Sequence, residues 1–99
     1  MRTFIVTLAT GSAWISGKPS REQPLWNEHA AFMDDLFARG QILMGGPYAD
    51  YSGVHLIVLA NDVEEVVELL LADPWQRAGL LQPPVINEWL VFLSVLEEQ

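Results

Sequence analysis

His29 stands where the pattern around it calls for an apolar residue. In LWNEHAAFMDDLFARG, residues 25–40, Leu25, Phe32, Met33, Leu36 and Phe37 recur at the three-and-four spacing of one buried helix face, and His29 shares that stripe. An imidazole there has two readings. It is a core histidine whose ring nitrogens are met by hydrogen bonds, or it is a general acid/base that changes charge near working pH. A carboxylate partner favours the second. Asp73, in ADPW, is the candidate, although Asp before Pro also stops a helix and caps a turn. Gly45-Gly46-Pro47 reads as a strand distortion, or as bare backbone whose amides approach an oxyanion. Trp14, Trp26 and Trp75 suit the aromatic lining of a pocket for a ring-shaped ligand, and equally suit core or interface packing.

Other chemistries find less support. Ser12, Ser16 and Ser52 stand in no recognisable Ser-His-Asp order. His55 has no partner that the sequence identifies and reads as a plain sheet residue. Two histidines at unrelated positions and no cysteine give no metal-ligand spacing. No phosphate-binding or dinucleotide-binding glycine pattern occurs, so no cofactor is expected.

The elements that must carry these residues are short. Thr3 to Ala9 is β-branched and aromatic, which suits a strand. The connection TGSAWISGKPSR follows, long for a loop, and is expected to border the pocket and to be mobile. A helix starts near Pro24 and ends at Gly40 as a left-handed C′ residue. Gln41 to Met44 is a strand broken by Gly45-Gly46-Pro47, and Val54 to Ala60 is a third strand. Asn61 or Asp62, with Glu64 or Glu65, caps a second helix whose stripe is Val63, Val66, Val67 and Leu70. A last strand is expected from about Val85 to Val95. The order βαββαβ predicts an α+β, ferredoxin-like antiparallel sheet with both helices on one face.

Ninety-nine residues make one domain, residues 1–99, with 51% hydrophobic residues and a net charge of −8. Such acidity argues against nucleic acid and against anionic membrane surfaces. No stretch approaches the ~18 apolar residues of a membrane span. A soluble, cytoplasmic protein is therefore expected. The runs Phe4-Ile5-Val6, Leu56 to Leu59 and Trp89 to Leu93 are apolar without alternation, so both sheet faces are expected to be buried. A homodimer joined through the sheet face is the simplest solution, with Val58 and Val91 as outward residues.

His29-x-x-Phe32 with Leu36 and Gly40, then Gly45-Gly46-Pro47, then Asp73-Pro74-Trp75 with Ala78-Gly79-Leu80, resembles the YCII-related domain family in order and spacing. The resemblance spans the chain from the first strand to Trp89. It implies a dimeric α/β barrel, in which two ferredoxin-like sheets pack together with their helices outside. It also implies a His–Asp active-site pair, which falls on His29 and Asp73. Many family members carry an arginine three residues before the histidine, and here Trp26 stands there, with Arg21 further upstream. Small-molecule chemistry of lyase or dehydrohalogenase type is attached to the family. The expected function is cofactor-free acid/base chemistry on a small cyclic or carbonyl compound. The alternative is a non-catalytic ligand-binding or assembly module whose His–Asp pair is structural.

Overall fold

The computed structural model describes residues 1–95 of the chain. Its elements are β1 (Arg2–Ala9), a 3₁₀ turn (Ser20–Glu22), α1 (Trp26–Ala38), β2 (Ile42–Pro47), β3 (Gly53–Ala60), α2 (Val63–Leu71), the single-turn α3 (Pro74–Arg77) and β4 (Val85–Glu88). The strands form one antiparallel sheet in the order β2-β3-β1-β4. This is the expected ferredoxin-like α+β arrangement.

Alternation in the two central strands sets the layers. Phe4, Val6 and Leu8 pair with Val58, Leu56 and Val54, and all six are buried. They share one core with Leu36 of α1, Val66 and Leu70 of α2, and Trp75 of α3. The opposite face carries Thr3, Ile5, Thr7, His55, Ile57 and Leu59, which are half-buried. Val58 is 1% exposed, so it belongs to the helix-covered core and not to the outward face. The apolar run had hidden the alternation, because Ile57 and Leu59 interleave with Val58 and Ala60 on opposite sides.

The last strand is shorter than expected. β4 ends at Glu88, which pairs with Phe4, and the Trp89 amide makes a final bond to Thr3 O. β1 begins at Arg2, so the ladder runs out of partner strand there. Residues 89–95 continue outside any strand, with Val91 exposed. β2, in contrast, runs through the glycines to Pro47, with a register shift between Ile42 and Met44 that leaves Leu43 as a bulge. Proline is tolerated because β2 is an edge: the Tyr48 amide donates inward to Gly53 O, so by alternation the Pro47 nitrogen faces outward.

Helix ends follow local chemistry. Gly40, at φ 77°, closes α1, with Gly40 N donating to Phe37 O and Gln41 N to Leu36 O. Asp62 caps α2 by accepting from Glu65 N at 2.9 Å, while the Glu65 carboxylate reaches back to Asn61. α1 starts at Trp26, later than expected, behind Leu25 in the left-handed region at φ 61°.

Candidate active site

Two chain segments meet at the site. α1 presents His29 from its first turn, while Asp73 lies in the sharp link between α2 and α3. The Nδ1 of His29 is 2.8 Å from Asp73 Oδ1, and both residues are buried. That same oxygen accepts from the Trp75 amide at 3.0 Å, which makes Asp73 the N-cap of α3. The helix-stopping role and the histidine-holding role are therefore carried by one oxygen atom.

Trp75 completes the clamp. Its ring stacks on the imidazole with centroids 3.8 Å apart and planes 6° from parallel. Its Nε1 donates to Pro24 O at 2.8 Å, which ties α3 to the entry of α1. The left-handed Leu25 turns the chain between that carbonyl and the helix. Trp26 tilts against both rings at 5.9 Å from His29 and 5.8 Å from Trp75.

The geometry assigns the tautomer. A carboxylate accepts only, so His29 donates through Nδ1–H, and in the neutral ring Nε2 then carries the free lone pair. Among the described residues no group hydrogen-bonds that nitrogen. His29 lines a cleft of about 1040 Å³ between α1, β2 and the 3₁₀ turn. Met33 and Phe37 of α1 and Leu43 and Met44 of β2 form apolar walls. Arg21, Glu22 and Asp34 supply the charges. An apolar slot with few polar groups and one imidazole nitrogen suits a small, largely apolar molecule with a proton to lose or gain.

Gly45 opens that slot. A Cβ there would lie 2.6 Å from Leu56 Cδ2, so the residue faces the cleft side with no room for a side chain. Gly46 also lines the cleft, as do Trp26 and Trp75. Trp14 does not. It packs edge-on against Trp75 with centroids 5.4 Å apart, behind the clamp, where it holds Trp75 against the imidazole. Asp73 likewise stands behind His29 and is 1% exposed.

The sequence reading missed three residues. Gln23 is buried and its side chain bonds Ile15 N, Ile15 O and Lys18 O at 2.8–2.9 Å, so the long loop is stapled from within. Ser20 reaches the cleft with a buried Oγ that has no hydrogen-bond partner. Tyr48 O–H lies 3.0 Å from Nδ1 of His55, which gives that histidine a partner. Nothing in sequence spacing signals the Gln23 and Tyr48 contacts, because each spans a turn whose path is set by tertiary packing. Among the described residues no group of three or more His, Asp or Glu side chains is placed to hold a metal ion.

A four-stranded antiparallel sheet, helices on one face and a His–Asp pair at a cleft between helix and edge strand define a ferredoxin-like α+β domain with a histidine-bearing cleft. Residues 2–90 match the family described as YCII-related domain, and the chain belongs to that family. The chain is 34% identical over 61 residues to the uncharacterized protein YjpA of Bacillus subtilis (strain 168), a match over 62% of this chain and 71% of that protein. Its fold is similar to that of 5-chloro-2-hydroxyhydroquinone dehydrochlorinase from Burkholderia phenoliruptrix AC1100, solved in complex with 2,5-dihydroxybenzoquinone. That similarity has a TM-score of 0.58 and 23% identity, and covers 87% of this chain and 92% of the other.

Proposed function

We propose that this protein is a cytoplasmic, cofactor-free enzyme that moves a proton on a small cyclic or carbonyl-bearing compound. The observation that carries the reading is the Nδ1–Asp73 contact of 2.8 Å on a histidine that lines the cleft. Nε2 takes a proton from carbon next to a carbonyl, and Asp73 stabilises the imidazolium that forms. The electron pair released from the C–H bond forms a C=C bond. In a lyase-type reaction, a leaving group on the neighbouring carbon departs with its bonding electrons. In an isomerase-type reaction, the same imidazolium returns the proton at another position. A fold neighbour that removes chloride from a ring compound supports the lyase form of the reading. Trp26, which lines the cleft beside the imidazole, suits a flat ring.

The test is exchange chemistry. Cyclic ketones, with and without a leaving group beside the acidic carbon, are incubated with the protein in heavy water and followed by NMR. His29-dependent deuterium uptake or release of the leaving group is expected. Saturable binding with neither outcome favours the second reading, a ligand-binding module. The double duty of Asp73 Oδ1, which caps α3 as it holds His29, is the observation on that side. We further propose that two copies pack through the face carrying Ile5, Ile57 and Leu59, because half-buried apolar residues on that face gain a cover.

A further inference from the structure

Among the described residues, the buried side-chain atoms with no hydrogen-bond partner are Ser20 Oγ, Gln41 Oε1 and Gln76 Oε1. Only Ser20 also lines the cleft. Buried hydroxyls are nearly always hydrogen-bonded, so an unmet one beside a cavity marks a place for an acceptor from outside the chain. A hydroxyl hydrogen rotates to suit the acceptor that arrives.

Below its rim the cleft offers few other polar atoms. Of its buried lining residues, Ser20 and His29 alone carry a free polar side-chain atom, because the Trp75 N–H is spent on Pro24 O. Arg21, Glu22 and Asp34 also line it, but all three are exposed and screened by water. By alternation from the bond between Tyr48 N and Gly53 O, the Gly46 amide points into the sheet. A base and a hydroxyl are what remain. Ser20 is also held in place. It opens the 3₁₀ turn, its carbonyl accepts from Gln23 N at 3.1 Å, and the Gln23 side chain is fixed by Ile15 and Lys18. That turn packs against α1, which carries His29. A donor fixed before the reaction suits a developing oxyanion, since little has to reorganise as charge forms.

We infer that the Ser20 hydroxyl donates to the substrate's carbonyl oxygen and steadies the negative charge that gathers there as His29 takes the proton. The inference rests on the proton-transfer reading above and assigns the oxygen end of the reaction. When Nε2 removes the proton, the C–H electron pair forms the C=C bond and the carbonyl π pair moves onto oxygen. Ser20 holds that enolate oxygen by a hydrogen bond and keeps its own proton. The carbonyl then re-forms, and the C=C pair either expels the leaving group or takes the proton back from the imidazolium.

Binding and exchange are measured separately on the full chain. The probes are cyclohexane-1,3-dione, an enolate at neutral pH, and cyclohexanone, its neutral counterpart. Ser20→Ala removes a hydroxyl without a partner, so its melting temperature should equal or exceed that of the wild type. By titration calorimetry the variant should bind the enolate about tenfold more weakly, and the neutral ketone at most about threefold more weakly, because a charged acceptor makes the stronger bond. Deuterium uptake by cyclohexanone should fall by about 10²–10³-fold in kcat with KM nearly unchanged, the loss expected of an oxyanion donor. Equal enolate affinity in both proteins, or an equal loss for both probes, overturns the inference. So does a wild type that binds no enolate. Ser20-dependent enolate binding without deuterium uptake by the wild type overturns the proton-transfer reading instead and leaves the oxygen contact standing.

Discussion

At the residue scale, Asp73 Oδ1 takes bonds from the His29 ring and the Trp75 amide, and substitutions there separate two functions. Asn keeps an acceptor oxygen for both donors but removes the charge that steadies an imidazolium. Asp73→Asn should therefore lower turnover by about 10²–10⁴-fold while the melting temperature moves by only a few degrees. Asp73→Ala removes the cap as well, at a cost of about 1 kcal/mol in the helix-capping term alone, and chemical denaturation should register it. His29→Asn should leave the fold and oligomeric state intact and reduce deuterium uptake to the uncatalysed rate. Equal activity of His29→Asn and wild type would end the catalytic reading. Both measurements are needed, because a purely structural pair would change stability and leave no turnover to lose.

At the scale of elements, two devices shape the cleft. β2 bears Gly45 against Leu56, and an added methyl must push the Leu56 side chain or fill the slot. Gly45→Ala should weaken ligand binding severalfold and cost roughly 1–3 kcal/mol as overpacking; titration calorimetry and denaturation read the two effects. In the long loop, the Gln23 side chain accepts from Ile15 N and donates to Ile15 O and Lys18 O, and Gly11 N and Ala13 N donate to Leu80 O and Gly79 O. Gln23→Ala strands those backbone groups, a loss of roughly 1–3 kcal/mol. Amides around Ile15 to Lys18 should then exchange much faster than in the wild type. In the β2–β3 turn, the Asp50 carboxyl is held below its usual range, first by the Ser52 side chain and then by the Ser52 amide. A lowered pKa adds stability above the ordinary value of 3.8 that is lost as pH falls through the lowered one. An NMR titration should show Asp50 returning toward the ordinary value in Ser52→Ala.

At the scale of the whole molecule, the two faces of the sheet give opposite expectations for neighbouring residues. Val58 lies in the core, and Val58→Asp buries an unpaired charge worth several kcal/mol, which should unfold the subunit. Ile57 points to the uncovered face, so Ile57→Asp should leave the circular dichroism spectrum unchanged and yield a monomer by sedimentation. A folded dimer of Ile57→Asp would place the second copy elsewhere.

The sequence by itself determined the order of the strands and the two longer helices, and its resemblance to the family pointed to His29 and Asp73, while the single turn α3 went unread. Those signals are local or periodic: the stripe around His29, the Asp62 cap, the Gly40 stop and the Asp73-Pro74 break are each written within a few residues. Tertiary structure decided what needs two segments at once. The length of β4 depends on where β1 begins, and Pro47 is acceptable in β2 only because that strand is an edge. Ile57 and Val58 look alike in a continuous apolar run, and only the register against Ile5 and Phe4 sends them to opposite faces. Trp14, Trp26 and Trp75 looked equivalent as pocket linings, but packing put Trp14 behind the clamp, Trp75 against the imidazole, and Trp26 beside it. Forty-four residues separate His29 from Asp73, and no local preference fixes a 2.8 Å contact over that distance. It is fixed because α1 and α2 pack on one face of one sheet, and the link after α2 ends beside the first turn of α1.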